Sequence, residues 1–186
     1  MMIYFLGFRS DTMNVKDAII KTQSIRRYLD KDVSDEIIND LLEMARISAS
    51  GNNAQPWRFK VVKDAETKKL LEENNIFKQK FVTQAPVIIF CFADPSAYPD
   101  AKMIPRVDDN GKLRSYRDVS IASQNLILRA TELGLGSCYV GWLDKEKIKD
   151  VLNVPKEFVI PYAITLGYAD GEFPKTPRRA MKEIVL

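Results

Sequence analysis

The 186-residue sequence predicts a single α+β domain. Strand-like runs at residues 57–62, 86–92, 137–142 and 159–168 interleave irregularly with helix-periodic segments, giving three to four strands and about five helices without a regular βαβ series. Hydrophobic residues make up 46% and charged residues 28%, a globular balance, and a chain of this length buries roughly 70% of its unfolded surface. No repeat, low-complexity tract or clean linker divides the chain. Neither GxGxxG nor GxxxxGK[S/T] occurs, so no dinucleotide fingerprint or P-loop organises it.

Taken in order, residues 1–13 read as an N-terminal arm and residues 14–186 as the domain. The apolar start from Met1 to Phe8 is too short to span a bilayer and lacks a basic region before it; Arg9, Ser10 and Asp11 end it. Packing on the body or a partner is expected of the arm, with Met13 as an alternative start. Asn14 caps a first helix whose apolar face is Val15, Ala18 and Ile19. Residues 23–28 break that period and gather hydroxyl, guanidinium and aromatic groups. Ser34 opens a second helix, with Asp35 and Glu36 in its first turn and Ile37, Ile38, Leu41, Leu42 and Ala45 at helical spacing. It runs out at residues 48–53, before Pro56.

Residues 57–62 alternate as a strand, and residues 68–81 are mixed helix and loop. Residues 86–92 are apolar throughout, which predicts a central strand covered on both faces. Residues 94–117 form a polar excursion. Segments of this kind are lids, binding loops or mobile connections, and here is the natural place for a substrate cover or simply a surface loop. Asp118 reads as the cap of a core helix over 119–133, ended by Gly134, Leu135 and Gly136. Asp144 begins another amphipathic helix through Ile148 and Leu152, which stops at Pro155. After the strand at 159–168 comes a tail with Pro174, Pro177, Arg178 and Arg179. Its apolar end, Ile184, Val185 and Leu186, predicts docking, most simply on a partner subunit.

Composition removes several chemistries. With no histidine, Ser-His-Asp triads, histidine zinc sites and histidine bases are excluded. Cys91 and Cys138 stand far apart inside strand-like runs and read as buried apolar residues, so no metal site is expected and the compartment is reducing, that is, cytoplasmic. The 28 basic and 25 acidic residues leave only +3, and no basic helix or aromatic-studded groove appears. Neither nucleic acid nor membrane is an expected partner.

Two segments carry usable polar groups. Ser24 offers a hydroxyl, and Arg26 and Arg27 offer charged donors suited to phosphate or an electron-rich carbonyl. Ser50, Asn53 and Gln55 offer donors and acceptors for a heterocycle edge. Taken alone, both segments read equally well as helix caps and solvated charge.

Together they form a pattern. Ser24-Ile25-Arg26-Arg27-Tyr28, then the run from Ala49 through Gln55-Pro56-Trp57 to Phe59, then the run from Leu133 to Gly141, and finally Leu166-Gly167-Tyr168 resemble the nitroreductase family of FMN-dependent oxidoreductases. The resemblance extends from about Asn14 to the C-terminus. It implies a mixed, largely antiparallel sheet flanked by helices, a homodimer with flavins at the interface, and a C-terminal tail exchanged between subunits. By motif, Ser24 would bind the FMN phosphate and Arg26 would sit near N1 and the C2 carbonyl. Ser50 and Asn53 of the opposite subunit would contact the isoalloxazine, with Gln55 in the same segment. Val140 and Gly141 would lie near N5 through their backbone, and Arg178 or Arg179 would return to the phosphate. Where the family has a basic pair before the serine, this chain has Thr22 and Gln23, with Lys21 before them. Gln79 is the candidate donor from the 68–81 region.

The implied activity is ping-pong: NAD(P)H gives hydride to flavin N5, and a nitroaromatic, quinone or similar small acceptor takes two electrons in the same pocket. Alternatives on the same scaffold are a specialised flavoenzyme (dehalogenation, azoline or dipeptide oxidation, flavin fragmentation), a non-catalytic flavin-binding protein, or an interaction protein without flavin. Phe92, Tyr98, Tyr116, Tyr139 and Trp142 are expected either as ordinary core or as an aromatic wall to the pocket.

Overall fold

The fold is built around Val87–Ala93 (β2), in which every residue is buried. A computed structural model describes residues 13–98 and 111–186; the arm at 1–12 and the middle of the polar excursion, 99–110, lie outside the described residues. Trp57–Val62 (β1) and Val159–Gly167 (β4) flank β2, and Gly136–Val140 (β3) adds to β4, so the order is β1-β2-β4-β3. Every pair is antiparallel, as in Phe59 opposite Cys91, Ile89 opposite Ile164 and Cys138 opposite Thr165.

Because side chains alternate along a strand, β2 feeds two cores. Val87, Ile89, Cys91 and Ala93 face the helices Asp35–Arg46 (α2) and Lys112–Glu132 (α5), packing with Leu41, Val119, Leu126 and Ile164. Ile88, Phe90 and Phe92 face Ala65–Glu73 (α3), Phe81–Gln84 (α4) and Lys147–Val151 (α6), with Leu71, Val82 and Ile148. Both cysteines are buried and free, and burial pushes the Cys91 thiol up to about 12, so it stays a neutral thiol.

Local capping explains the boundaries. Ser34 accepts from the Ile37 N–H at 3.4 Å to start α2, and Asp64 accepts from Thr67 at 2.7 Å to start α3. The first helix, Val15–Lys21 (α1), is capped by Asn14, but only Ala18 of its expected apolar face is buried; Val15 and Ile19 are exposed.

Two expectations are corrected. The long helix begins at Lys112, directly after Gly111 (φ 86°), so residues 112–117 belong to α5 and not to a loop. Asp118 is therefore not its cap. It sits nearly two turns inside the helix, fully buried, with its carboxylate accepting from the neighbouring Arg117 and from groups outside the helix. The helix expected from Asp144 is likewise short: Asp144 accepts from the Lys147 N–H at 3.0 Å in a preceding turn, and α6 follows.

Candidate functional site

Ser24 pairs in parallel with Ser137 of β3, and the Ile25 N–H donates to the Ser137 carbonyl at 2.8 Å. Ile25 is buried over Gly136, where an added Cβ would lie 2.7 Å from Cγ1 and 2.9 Å from Cβ of Ile25. A glycine is thus required for the segment to seat on the strand. The Tyr28 hydroxyl donates to the Ile25 carbonyl at 2.7 Å and lies 2.8 Å from Thr165 Oγ1, fixing the other end. Burial raises its phenol well above the ordinary tyrosine value, so it remains a donor.

With Ile25 turned inward, Ser24 and Arg26 are exposed, and neither side chain has a hydrogen bond or ion pair among the described residues. Arg27 does a different job: its Nε donates to the Asp170 carbonyl at 2.8 Å, and its guanidinium lies 5.6 Å from the Phe173 ring, securing the root of the tail. Thr22 is also engaged internally, its hydroxyl donating to the Ala18 carbonyl at 2.7 Å. Gln23 is not: its Oε1 is buried and without a partner, at a cavity of about 110 Å³ lined also by Lys21, Thr131, Gly134 and Ser137.

Val140 and Gly141 close β3. The Val140 side chain is buried in the second core, so only its backbone is offered, and open space lies where a Gly141 side chain would be. Beside Gly141, Ser120, Gln124, Pro161 and the edge-to-face pair Tyr139 and Tyr162, with ring centroids 4.8 Å apart, line a cavity of about 380 Å³. Trp142 is 67% exposed. Gln79 lines a separate cleft with Phe77 and Lys78, held near this end because Phe77 bridges Leu143 and the Asp144 N–H donates to the Ile76 carbonyl at 2.8 Å. Of the expected aromatic wall, Phe92 and Tyr98 are core, whereas Tyr139 and Trp142 are accessible.

Ser50, Asn53 and Gln55 share a tight turn ahead of β1. Ser50 Oγ accepts from the Gln55 N–H at 3.0 Å, Gln55 Nε2 donates to the Asn53 carbonyl at 3.2 Å, and Arg58 donates to the Gln55 carbonyl at 3.1 Å. Gln55 is therefore used within the turn, while Asn53 remains exposed. Since β1 and β3 are opposite edges of the sheet, three strand spacings, about 14 Å, separate the edge carrying this turn from the edge carrying Ser24, Arg26 and Gly141. One chain brings the first and third segments together and leaves the second apart. Arg178 and Arg179 lie in the exposed tail, where Arg178 donates to the Thr176 carbonyl at 3.0 Å.

The residue that sequence reasoning missed is Asp118, which accepts from the Gly51 N–H of this turn. Its signal was available: it falls on the buried stripe with Ser115 one turn before and Ala122 one turn after, and a carboxylate at such a position needs donors from elsewhere.

The sequence pattern of the nitroreductase family matches residues 19–76 and 73–168. An NADH dehydrogenase of Thermus thermophilus is 31% identical over 199 residues, 94% of this chain and 96% of its own length. An FMN reductase (NADPH) of Bacillus subtilis is 26% identical over 183 residues, 90% of this chain and 72% of its own. The crystal structure of a nitroreductase family protein from Clostridium difficile superposes with a TM-score of 0.77 at 28% identity, covering 94% of this chain and 98% of that one. With its pattern, its relatives and its antiparallel α+β architecture in agreement, the chain belongs to the nitroreductase family of FMN-dependent NAD(P)H oxidoreductases.

Proposed function

We propose that this chain works as a homodimer that holds FMN between its subunits and passes a hydride from NAD(P)H to a nitroaromatic, quinone or similar small acceptor. The observation that carries the proposal is the division of the candidate groups between opposite sheet edges. A second copy supplies the 50–55 turn that one chain holds apart from its own β3 edge.

The residues present fit the cofactor. Ser24 and Arg26 are free to meet an anion and a carbonyl edge, and the unmet Gln23 amide beside Lys21 supports a polar occupant at that end. Turning the amide over presents its NH2 to a phosphate. Lys21, Gln23 and Ser24 would hold the phosphate, with Arg178 or Arg179 closing on it from the tail. Arg26 would place a fixed positive charge against the N1–C2 edge, which favours negative charge there. The backbone at Val140 and Gly141 would face the ring over open space, and Ser50 and Asn53 of the second copy would approach its far edge. FMN supplies reversible hydride acceptance at N5 when bound. Tyr139 and Trp142 offer flat, accessible apolar faces near Gly141, suited to a planar acceptor.

A dimer also answers the exposed apolar surface. Val15 and Ile47 border a cavity of about 380 Å³ with Met44 and Leu128, and Met181, Ile184 and Val185 are each more than 60% exposed in the tail.

The deciding experiment reconstitutes purified protein with FMN, removes the excess, and records the visible spectrum without oxygen as NADH or NADPH is added. Retained flavin that bleaches and is reoxidised by a quinone or nitroaromatic is the expected outcome. Bleaching without such reoxidation points to a specialised flavoenzyme, flavin that no nucleotide reduces to a non-catalytic binder, and no retained flavin refutes the proposal.

A further inference from the structure

The 50–55 turn combines an unfavourable backbone conformation with a bond from Gly51 to one buried carboxylate. Asn52, Asn53 and Gln55 all have positive φ, at 52°, 54° and 49°, a region that side-chain-bearing residues seldom occupy and that persists only when surrounding contacts over-determine it. Asp118 is completely buried in α5. Its Oδ2 accepts from the Gly51 N–H at 3.2 Å and from the Tyr98 hydroxyl, and its Oδ1 accepts from Arg117 Nε at 2.8 Å. Arg117 Nη2 also donates to the Tyr98 oxygen at 3.4 Å, and the Arg114 guanidinium sits 4.4 Å from the Tyr98 ring. Burial, with the carboxylate adding to it, pushes the Tyr98 phenol up to about 12, so its proton stays in place as a donor.

The network also crowds Gly51. A Cβ there would lie 2.6 Å from Arg117 Nη2 and 2.9 Å from the Tyr98 hydroxyl. The space that a side chain would fill belongs to two of the three donors of Asp118.

We infer that Asp118 is a positioning residue for the flavin-edge turn: through the Gly51 N–H and the Tyr98 hydroxyl it fixes the 50–55 backbone in the conformation that presents Ser50 and Asn53. The inference rests on the flavin reading above, since it assigns Asp118 the task of pre-ordering one wall of that site. Without the carboxylate, the positive-φ residues lose their anchor to α5 and relax, and the wall must then be ordered at the expense of binding.

Three variants test it: Asp118→Asn, which keeps the shape and loses the charge; Tyr98→Phe, which removes one donor; and Ile148→Ala, which removes packing on the opposite face of the sheet. Hydrogen exchange of the apoprotein reads the turn, fluorescence titration reads FMN affinity, and thermal melting reads stability. Asp118→Asn should speed exchange at residues 51–55 with β2 and β4 unchanged and weaken FMN binding about tenfold, as expected for one charged hydrogen bond. Tyr98→Phe should show about a third of that affinity loss, and Ile148→Ala should melt earlier with FMN affinity within about twofold of wild type. A loosened turn with unchanged affinity, an unloosened turn, or an equal loss in Ile148→Ala overturns the role of Asp118. A wild-type chain that retains no FMN overturns the flavin reading itself, and this inference with it.

Discussion

Gly136→Ala separates the geometry of the site from the stability of the fold. The new Cβ would lie 2.9 Å from the Ile25 Cβ, an atom fixed to the backbone, so no rotamer change relieves the contact. Restoring ordinary contact, about 3.4 Å, requires the Ile25 backbone to move by about 0.5 Å, and Ser24 and Arg26 on either side move with it. Overpacking of this kind costs about 1–3 kcal/mol, which for a chain of this size lowers Tm by about 2–12 °C. Ile148→Val is the matched control. Ile148 is fully buried in the core on the other face of the sheet, so removing one methyl there costs about 0.5–1.5 kcal/mol without pressing on Ile25. Both variants should melt earlier as apoproteins. Only Gly136→Ala should weaken FMN binding, by about tenfold in fluorescence titration, because displacement of positioned groups by fractions of an ångström is felt steeply. Equal FMN affinities in two equally destabilised variants would refute the argument that Gly136 exists to seat the Ser24–Arg26 segment.

Further outcomes follow from the same structure. Arg26→Ala, folded and fully loaded, should have a flavin potential about 20–90 mV more negative, from about 1–4 kcal/mol of lost charge interaction, in a dye-coupled reduction titration; an unchanged potential rejects the placement of Arg26. Ile47→Asp puts a charge on an apolar surface that is 59% exposed in one chain, so sedimentation should fall from about twice 21.2 kDa to 21.2 kDa with the subunit still folded, and a variant sedimenting as wild type argues against that face as the dimer contact. At alkaline pH, Tyr28 is raised well above the ordinary value and Tyr98 and Tyr162 to about 12, burial being the first cause in each. Their neutral forms favour the fold, so this stabilisation is complete below about pH 10 and lost as pH climbs through the raised values. Urea midpoints should therefore drop above pH 10 while 295 nm absorbance rises together with unfolding, and ionisation of these phenols near pH 10 in a folded chain refutes the assignment.

What the sequence made legible was governed by how local the cause was. The central strand was readable because residues 87–92 are apolar without interruption, and α2 because Ser34 and the Ile38, Leu41, Ala45 stripe are a few residues apart. The start of α5 was not, since residues 112–117 contain three cations and little apolar pattern, and their helix is held by tertiary contacts such as Ser115 donating to the Asp94 carbonyl at 3.3 Å. The same division runs through the site. Ser24, Arg26, Ser50 and Asn53 could be picked out by their chemistry and by the family pattern, but the partners of Arg27 stand at positions 170 and 173, and two of the three partners of Asp118 at 51 and 98.

The two glycines of this site show why distance along the chain hides function. Gly136 and Gly51 each look like loop residues in sequence, yet each is small because a particular side chain from another element occupies its space: Ile25 in one case, Arg117 and Tyr98 in the other. Both glycines are therefore docking points, one pinning the Ser24–Arg26 segment to the β3 edge and the other pinning the 50–55 turn to α5. The two pinned elements stand at opposite edges of one sheet. If a second copy unites them, each subunit carries two separately rigid half-sites, and substitutions at Gly136 and at Asp118 should weaken FMN binding independently. Their free-energy effects should add within about 0.5 kcal/mol in the double variant, and a large coupling between them would mean that the two halves are ordered together rather than by their own scaffolds.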